Sequence, residues 1–202
     1  LTMLKKILDS GEGSHKIPDI IANMQEASLR IDAVIRRIMD FSKPGEPRFI
    51  LCDIREPMED AVRLAAVTLR KAGIALESHL APDKGICRLD PHMIEQVLLN
   101  LITNAAEAMQ CVTEDKRIDI STSVKARHVV VRVADSGPGI PPHLRSKIFE
   151  PFFTTKADST GIGLSICHRI ISDHKGYLRV EESGLGGAEF IIELPLAQEG
   201  SV

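Results

Sequence analysis

The spacing of apolar residues changes character once along this chain, at residues 42–49 (SKPGEPRF), and the change limits what each side can become. Before it, Ile17, Ile20, Met24, Ala27, Ile31, Val34, Ile38 and Phe41 recur at steps of three and four, a heptad seam with polar residues between. Residues 17–42 therefore predict one long helix, with Pro18 in the first turn, where proline is tolerated. Residues 1–9 (LTMLKKILD) read as the end of a preceding helix and residues 10–16 (SGEGSHK) as the turn. A seam this regular needs a helix against it. A helical hairpin that dimerises into a bundle meets that need; a single helix packed on a globular domain is the other arrangement it allows. Two prolines and a glycine then stop the helix.

Beyond the boundary the period alternates between helix and strand. Residues 54–71 and 91–109 predict helices, and residues 161–174 (GIGLSICHRIISDH) a third. Residues 74–80 (IALESHL) alternate like a half-buried strand, and 86–90 form a short one. Residues 117–124 and 128–135 make a strand pair, and 177–183 with 188–194 a terminal hairpin. The expected fold is α+β: a two-layer α/β sandwich with a mixed, mostly antiparallel sheet and helices on one face, preceded by the helical hairpin. In these terms residues 1–43 are a partial hairpin, 44–49 a linker, 50–198 the globular domain and 199–202 a tail.

Composition narrows the function. A net charge of −3 and no basic run give no general attraction to nucleic acid, and with no Trp and one Tyr there is little to stack bases on. No apolar stretch reaches bilayer-spanning length, so no membrane contact is expected of these residues. Cys52, Cys87, Cys111 and Cys167 stand far apart without a CxxC pair, which favours buried free thiols over disulfides or zinc. The sequence opens at Leu1 without Met, and a longer parent protein is expected.

Four segments in fixed order carry the chemistry: QVLLNLITNAAEAM (96–109), DSGPGI (135–140), FEPFFTTK (149–156) and STGIGLSI (159–166). Asn100 and Asn104 lie one helical turn apart on one face of an apolar helix, where asparagine is a poor choice without a reason. A buried amide bond is one reason. Another is Mg2+ carried by a triphosphate, which wants hard oxygen ligands and keeps most of its waters. Asp135 ends a strand before Gly137 and Gly139. A carboxylate accepts from the exocyclic amine of adenine and repels the carbonyl of guanine, and glycines let backbone approach a flat base. An ordinary strand-to-helix turn uses the same residues. Phe149, Phe152 and Phe153 precede a polar run and read as anchors for the root of a lid. Lys156 is a cation able to reach a phosphate, or simply a solvated lysine. Gly161 and Gly163 open a helix whose N–H groups and dipole suit an anion, though they also permit tight packing. Gly186-Gly187 reads as a hairpin turn.

From about residue 20 to 195 the chain resembles the sensor histidine kinases of two-component signalling, the branch with an NAAEAM-type asparagine box and an FEPFFTTK lid. RIDAVIRRIMDFSKPGEPRF is similar to the second helix of their dimerisation and phosphotransfer domain, and Gly186-Gly187 matches their final glycine box. The resemblance implies ATP and Mg2+ as cofactors, with Asn104 the Mg2+ ligand and Asn100, Asn104 and Lys156 serving catalysis. It makes Asp135 the adenine reader, in a pocket shaped by Gly137, Gly139 and Ile140. It adds Phe149, Phe153, Thr154, Thr155, Thr160, Gly161, Ile162, Gly163 and Leu164 to the nucleotide contacts. The γ-phosphate would pass to a histidine and then to an aspartate on a response-regulator receiver domain. The arm would make a homodimer and the location would be cytoplasmic; membrane anchoring of the parent is left open.

The pattern departs in places. The family's acceptor histidine is followed by an acidic residue and, five positions on, a proline. His15 is followed by Lys16, and by Pro18 three positions on, so it reads as a solvated loop residue and the acceptor is expected upstream of Leu1. The remaining histidines read as structural or solvated. Glu107 stands where many relatives carry a basic residue, Ser159 replaces a glycine, and Asp158 adds negative charge near the phosphates. An ATPase of the gyrase, chaperone and mismatch-repair type would use a glutamate in place of Asn100. A serine kinase acting on an anti-sigma antagonist would not need the arm, and a non-catalytic dimeric scaffold would not need an intact pocket.

Overall fold

The computed structural model describes residues 19–22, 24, 47–110, 112, 115–156 and 159–197. The chain divides into two compact units, residues 1–44 and 45–202. In the first, residues 19–22 and 24 are helical. The remainder of the expected hairpin, with its seam, its turn, His15 and the dimer it implies, lies outside the described residues, as do Cys111, Asp158 and the tail.

The second unit is a mixed α/β sandwich. Its elements run β1 (Ile50–Asp53), α1 (Arg55–Lys71), β2 (Ala75–His79), β3 (Ile86–Leu89), α2 (Pro91–Ala108), β4 (Arg117–Lys125), β5 (His128–Asp135), α3 (Gly163–Asp173), β6 (Tyr177–Glu182) and β7 (Ala188–Pro195). Two short 3-10 turns, Pro142–Leu144 and Lys147–Phe149, bridge β5 to α3. The main sheet has the order β2-β4-β5-β7-β6, antiparallel except where β2 runs parallel to β4. β1 and β3 pair separately, and Cys52 stands opposite Cys87 there.

Alternation builds the core. On β5 the odd residues Val129, Val131 and Val133 enter the apolar cluster, opposite Val124, Thr122 and Ile120 of β4. On β7 Ala188, Phe190, Ile192 and Leu194 enter it, facing Leu178 and Val180 of β6. α2 covers this face with Ile94, Val97, Leu98, Leu101, Ile102 and Ala105, the stripe expected of a helix against a sheet. Each valine, leucine or isoleucine among them contributes about 1.5–3 kcal/mol when fully buried. Asp135 follows Val129, Val131 and Val133 in the same row. The pleat thus delivers a carboxylate to the core-facing side at the sheet's end.

Residues 74–80 form the half-buried strand expected of them: Ile74 is buried and Leu76 and Leu80 pack in part on the core, while Ala75, Glu77 and His79 are exposed. One expectation needed revision. No strand was expected at β1. Its four residues are too few for periodicity to reveal, and pairing with β3 makes it a strand.

Candidate functional site

α2 carries the first segment. Its start is well made: Pro91 occupies the first turn and the Asp90 carboxylate accepts from the backbone of His92 and Met93. Further along, the amide nitrogen Nδ2 of Asn104 is buried without a hydrogen-bond partner among the described residues. Such an orphan is rare in a folded protein and calls for an explanation. Asn100 has a neighbour: its Nδ2 donates to Cys167 Sγ of α3 at 3.0 Å. A Cβ on Gly163 would lie 2.8 Å from the Asn100 oxygen, so this glycine lets the start of α3 close onto the asparagine. Burial pushes the Cys167 thiol up to about 12, against the Asn100 bond. Cys52, Cys87 and Cys167 are buried free thiols.

The second segment turns where β5 ends. Asp135 is 3% exposed, and its Oδ1 accepts from the N–H groups of Gly137 (2.8 Å) and Ala188 (3.2 Å). Burial raises its carboxyl above the ordinary value, against those two bonds. The second carboxylate oxygen has no partner among the described residues. Clearance here is set by absent side chains. A Cβ on Gly137 would stand 2.8 Å from Asp135 Oδ1, and one on Gly187 would fall 2.5 Å from Gly137 N and still nearer the carboxylate. Gly187 N also donates to Asp135 O. Gly186-Gly187 is therefore part of the wall around Asp135 as well as a hairpin turn. Two adjacent glycines before a strand were the available signal. Gly139, at φ +74, faces Gly187, and Ile140 is half-buried against the core.

In the third segment the aromatics divide. Phe149 packs edge-on to Phe190 and against His168, and Phe153 is half-buried on the core. Phe152 does not anchor anything: it is 66% exposed at φ +67, a conformation rare for a bulky residue. Its N–H donates to Gly161 O, and Gly161 has no room for a side chain because a Cβ would meet Phe152 and Phe153 backbone at 2.6 Å. The Phe152-Phe153 bend and the fourth segment are thereby tied together. Thr154, Thr155 and Lys156 are exposed, the first capping its own turn by accepting from Lys156 N. Lys156 Nζ meets Glu107 Oε2 at 2.7 Å, so neither is merely solvated.

The fourth segment brings Thr160 and Leu164 to half-buried positions and Ile162 into the interior. α3 starts without any side-chain cap, leaving its first N–H groups to an outside acceptor. The structure thus gathers Asn104, Asp135, the glycines and the start of α3 around the C-terminal half of α2. The residues fit a nucleotide: a buried amide donor lacking an acceptor, a carboxylate with one committed oxygen, and a helix start without a side-chain cap. The larger open groove described, about 800 Å3, lies beside them. It is lined by Gly73, Ala75, Asp115, Lys116, Arg117, Ser136 and Leu185, of which only Ser136 falls in a segment the sequence pointed to.

A mixed sandwich with these features defines a class of nucleotide-binding domain. The chain belongs to the histidine kinase-, DNA gyrase B- and HSP90-like ATPase family, whose pattern matches residues 89–198. The resemblance to sensor histidine kinases holds within it. The chain is 35% identical to the C4-dicarboxylate transport sensor protein DctS of Rhodobacter capsulatus over 88% of its own length and 27% of that protein. It is 37% identical to the catalytic domain of histidine kinase ThkA, with a TM-score of 0.67, covering 74% of this chain and 96% of that one. A longer ThkA structure, in complex with response regulator protein TrrA, gives 34% identity and a TM-score of 0.73 over 97% of this chain and 55% of that one. Full-length ShkA in complex with AMPPNP is 25% identical, with a TM-score of 0.75 over 90% of this chain and 39% of that one. The chain spans between about a fifth and two fifths of these curated relatives. Among the described residues, no helix is long and apolar enough to cross a membrane.

Proposed function

We propose that residues 50–198 are the ATP-binding catalytic domain of a sensor protein-histidine kinase, joined by a linker at 44–49 to a dimerising helical arm at 1–43. Asp135 carries the reading. A buried carboxylate oriented by two backbone N–H groups, with one oxygen uncommitted, suits recognition of the adenine amine. Gly137, Gly139, Ile140 and Gly187 shape the base pocket. Asn104 offers an amide oxygen to Mg2+, which when bound would neutralise phosphate charge. The first N–H groups of α3, with Thr160, Gly161 and Gly163, serve the phosphates. Lys156 serves the terminal phosphate, and Asn100 positions α3 against α2.

Phosphoryl transfer asks little of the protein beyond positioning and charge compensation, and these residues supply both. The acceptor is an imidazole on the helix that pairs with the arm, upstream of Leu1, and the next acceptor an aspartate of a response regulator. ThkA bound to TrrA supports that partner, and ShkA bound to AMPPNP supports the nucleotide. The unit works in the cytoplasm as part of a homodimer. Labelled ATP tests the assignment on this chain and on one extended upstream through the acceptor helix. The longer chain is expected to take label and this one to bind ATP without taking it. Stable label on His15 of this chain would overturn the placement of the acceptor.

A further inference from the structure

Glu107 and Lys156 come from segments 49 residues apart and meet in a single ion pair, each side chain about 40% exposed. An exposed pair of this kind adds little, so stability is a weak reason for it. Its position is more telling. Glu107 lies on the α2 face of Asn100 and Asn104, less than one turn past the orphan amide. The next residue, Ala108, stands 3.5 Å from where a Cβ on Gly137 would be, beside Asp135. The pair therefore sits where the metal and adenine ends of the site meet. A carboxylate there repels a polyphosphate unless something neutralises it, and Lys156 does so.

We propose that Glu107 is a positioning residue for the nucleotide. It holds Lys156 beside the Asn104 face, and the terminal phosphate of a nucleoside triphosphate takes the lysine from it. Charge-assisted bonds to a phosphate, with more charge and more oxygens than a carboxylate, favour that exchange. A diphosphate leaves Lys156 on Glu107, so the pair costs ATP affinity that ADP keeps and narrows the site's preference for ATP. The inference rests on the nucleotide reading above.

Calorimetric titration of ATP and ADP, with Mg2+, into the 202-residue chain tests it in four forms: unaltered, Glu107→Gln, Lys156→Met and the double variant. Glu107→Gln is expected to tighten ATP about threefold, with ADP unmoved and the gain shrinking as salt is raised. Lys156→Met weakens ATP, and in that background Glu107→Gln changes nothing. A gain that persists without Lys156 overturns the proposal, since the carboxylate then acts by plain repulsion. An equal gain for ADP, or no gain, overturns it too. Failure of the unaltered chain to bind ADP would instead sink the nucleotide reading itself.

Discussion

The two ends of α2 treat polar groups in opposite ways. At its start every partner is present. The Asp90 carboxylate accepts from His92, Met93 and Arg48 N–H groups, and Asp90 N donates to His174 Nε2 at 2.9 Å. His174 Nδ1 in turn donates to Ile170 O at 2.7 Å, and its ring meets Phe49 edge-on. Towards its other end Asn104 Nδ2 is buried unpaired, Asp135 has an oxygen to spare, and α3 begins uncapped. Burial raises the Asp135 carboxyl. Burial acts the same way on Asp90, yet the amides of Arg48, Met93 and His92 outweigh it and lower the value. One end is a finished joint. The other is missing the groups a ligand would bring, and native proteins tolerate that shortfall chiefly at functional sites.

Asp135→Asn puts the contrast under the greatest strain. The amide oxygen can keep the Gly137 and Ala188 bonds, but its nitrogen is a donor facing the donor amine of adenine. Titration should show ATP affinity falling roughly 10- to 100-fold, the worth of one hydrogen bond to a charged group. The fold should not suffer. A carboxyl whose folded pKa is raised contributes its full stability below its unfolded value near 3.8 and loses it as pH rises through the folded value. At neutral pH the charged form is a cost, so melting without nucleotide should occur at the same temperature or higher. Unchanged ATP affinity would refute the adenine role.

Asp90→Ala should do the reverse. It removes a helix cap together with the anchor for Arg48, and should cost about 2 kcal/mol in denaturant unfolding. ATP affinity measured well below the melting temperature should stay put. A large loss of affinity with little loss of stability would erase the distinction between the two ends.

Much of this division is legible in sequence, and for definite reasons. Helical periodicity marks residues 91–109, and the strand HVVVRVAD delivers Asp135 at its end, in the row of Val129, Val131 and Val133. The asparagines and glycines stand out because they are the wrong residues for an ordinary helix and strand end. What sequence hides are partners distant along the chain. Asn100 with Cys167, Lys156 with Glu107, and Gly187 against Asp135 depend on how the elements cross. The same blindness makes His174 look like one more histidine on a helix, and makes Phe152 look like the half-buried Phe149 and Phe153. Its positive φ follows from the bend held by Gly161, which no periodicity encodes.

His174 provides the smallest and most specific check on the finished end. Burial lowers its pKa below the ordinary 6.5, against the Ile170 carbonyl and the charges of Asp90 and Asp173, which favour the proton. Arg88 approaches the far side of this cluster, over the Phe49 ring. The neutral ring donates at Nδ1 and accepts at Nε2, so protonation would turn Nε2 into a donor facing the Asp90 N–H. A depressed folded pKa means that stability is full above about 6.5. As pH falls below it the unfolded chain takes the proton first, and stability drops until the folded value is reached. The loss cannot exceed about 1.4 kcal/mol per pH unit for one proton. Asp90 loses its own contribution only as pH falls through its lowered value, below the ordinary 3.8, and so stays out of the window. His174→Gln should lower stability at pH 7.5 and flatten the decline between pH 6.5 and 5. An unaltered slope in that variant would mean that another group carries the titration, and that the joint at the start of α2 is not the pH-sensitive point of the domain.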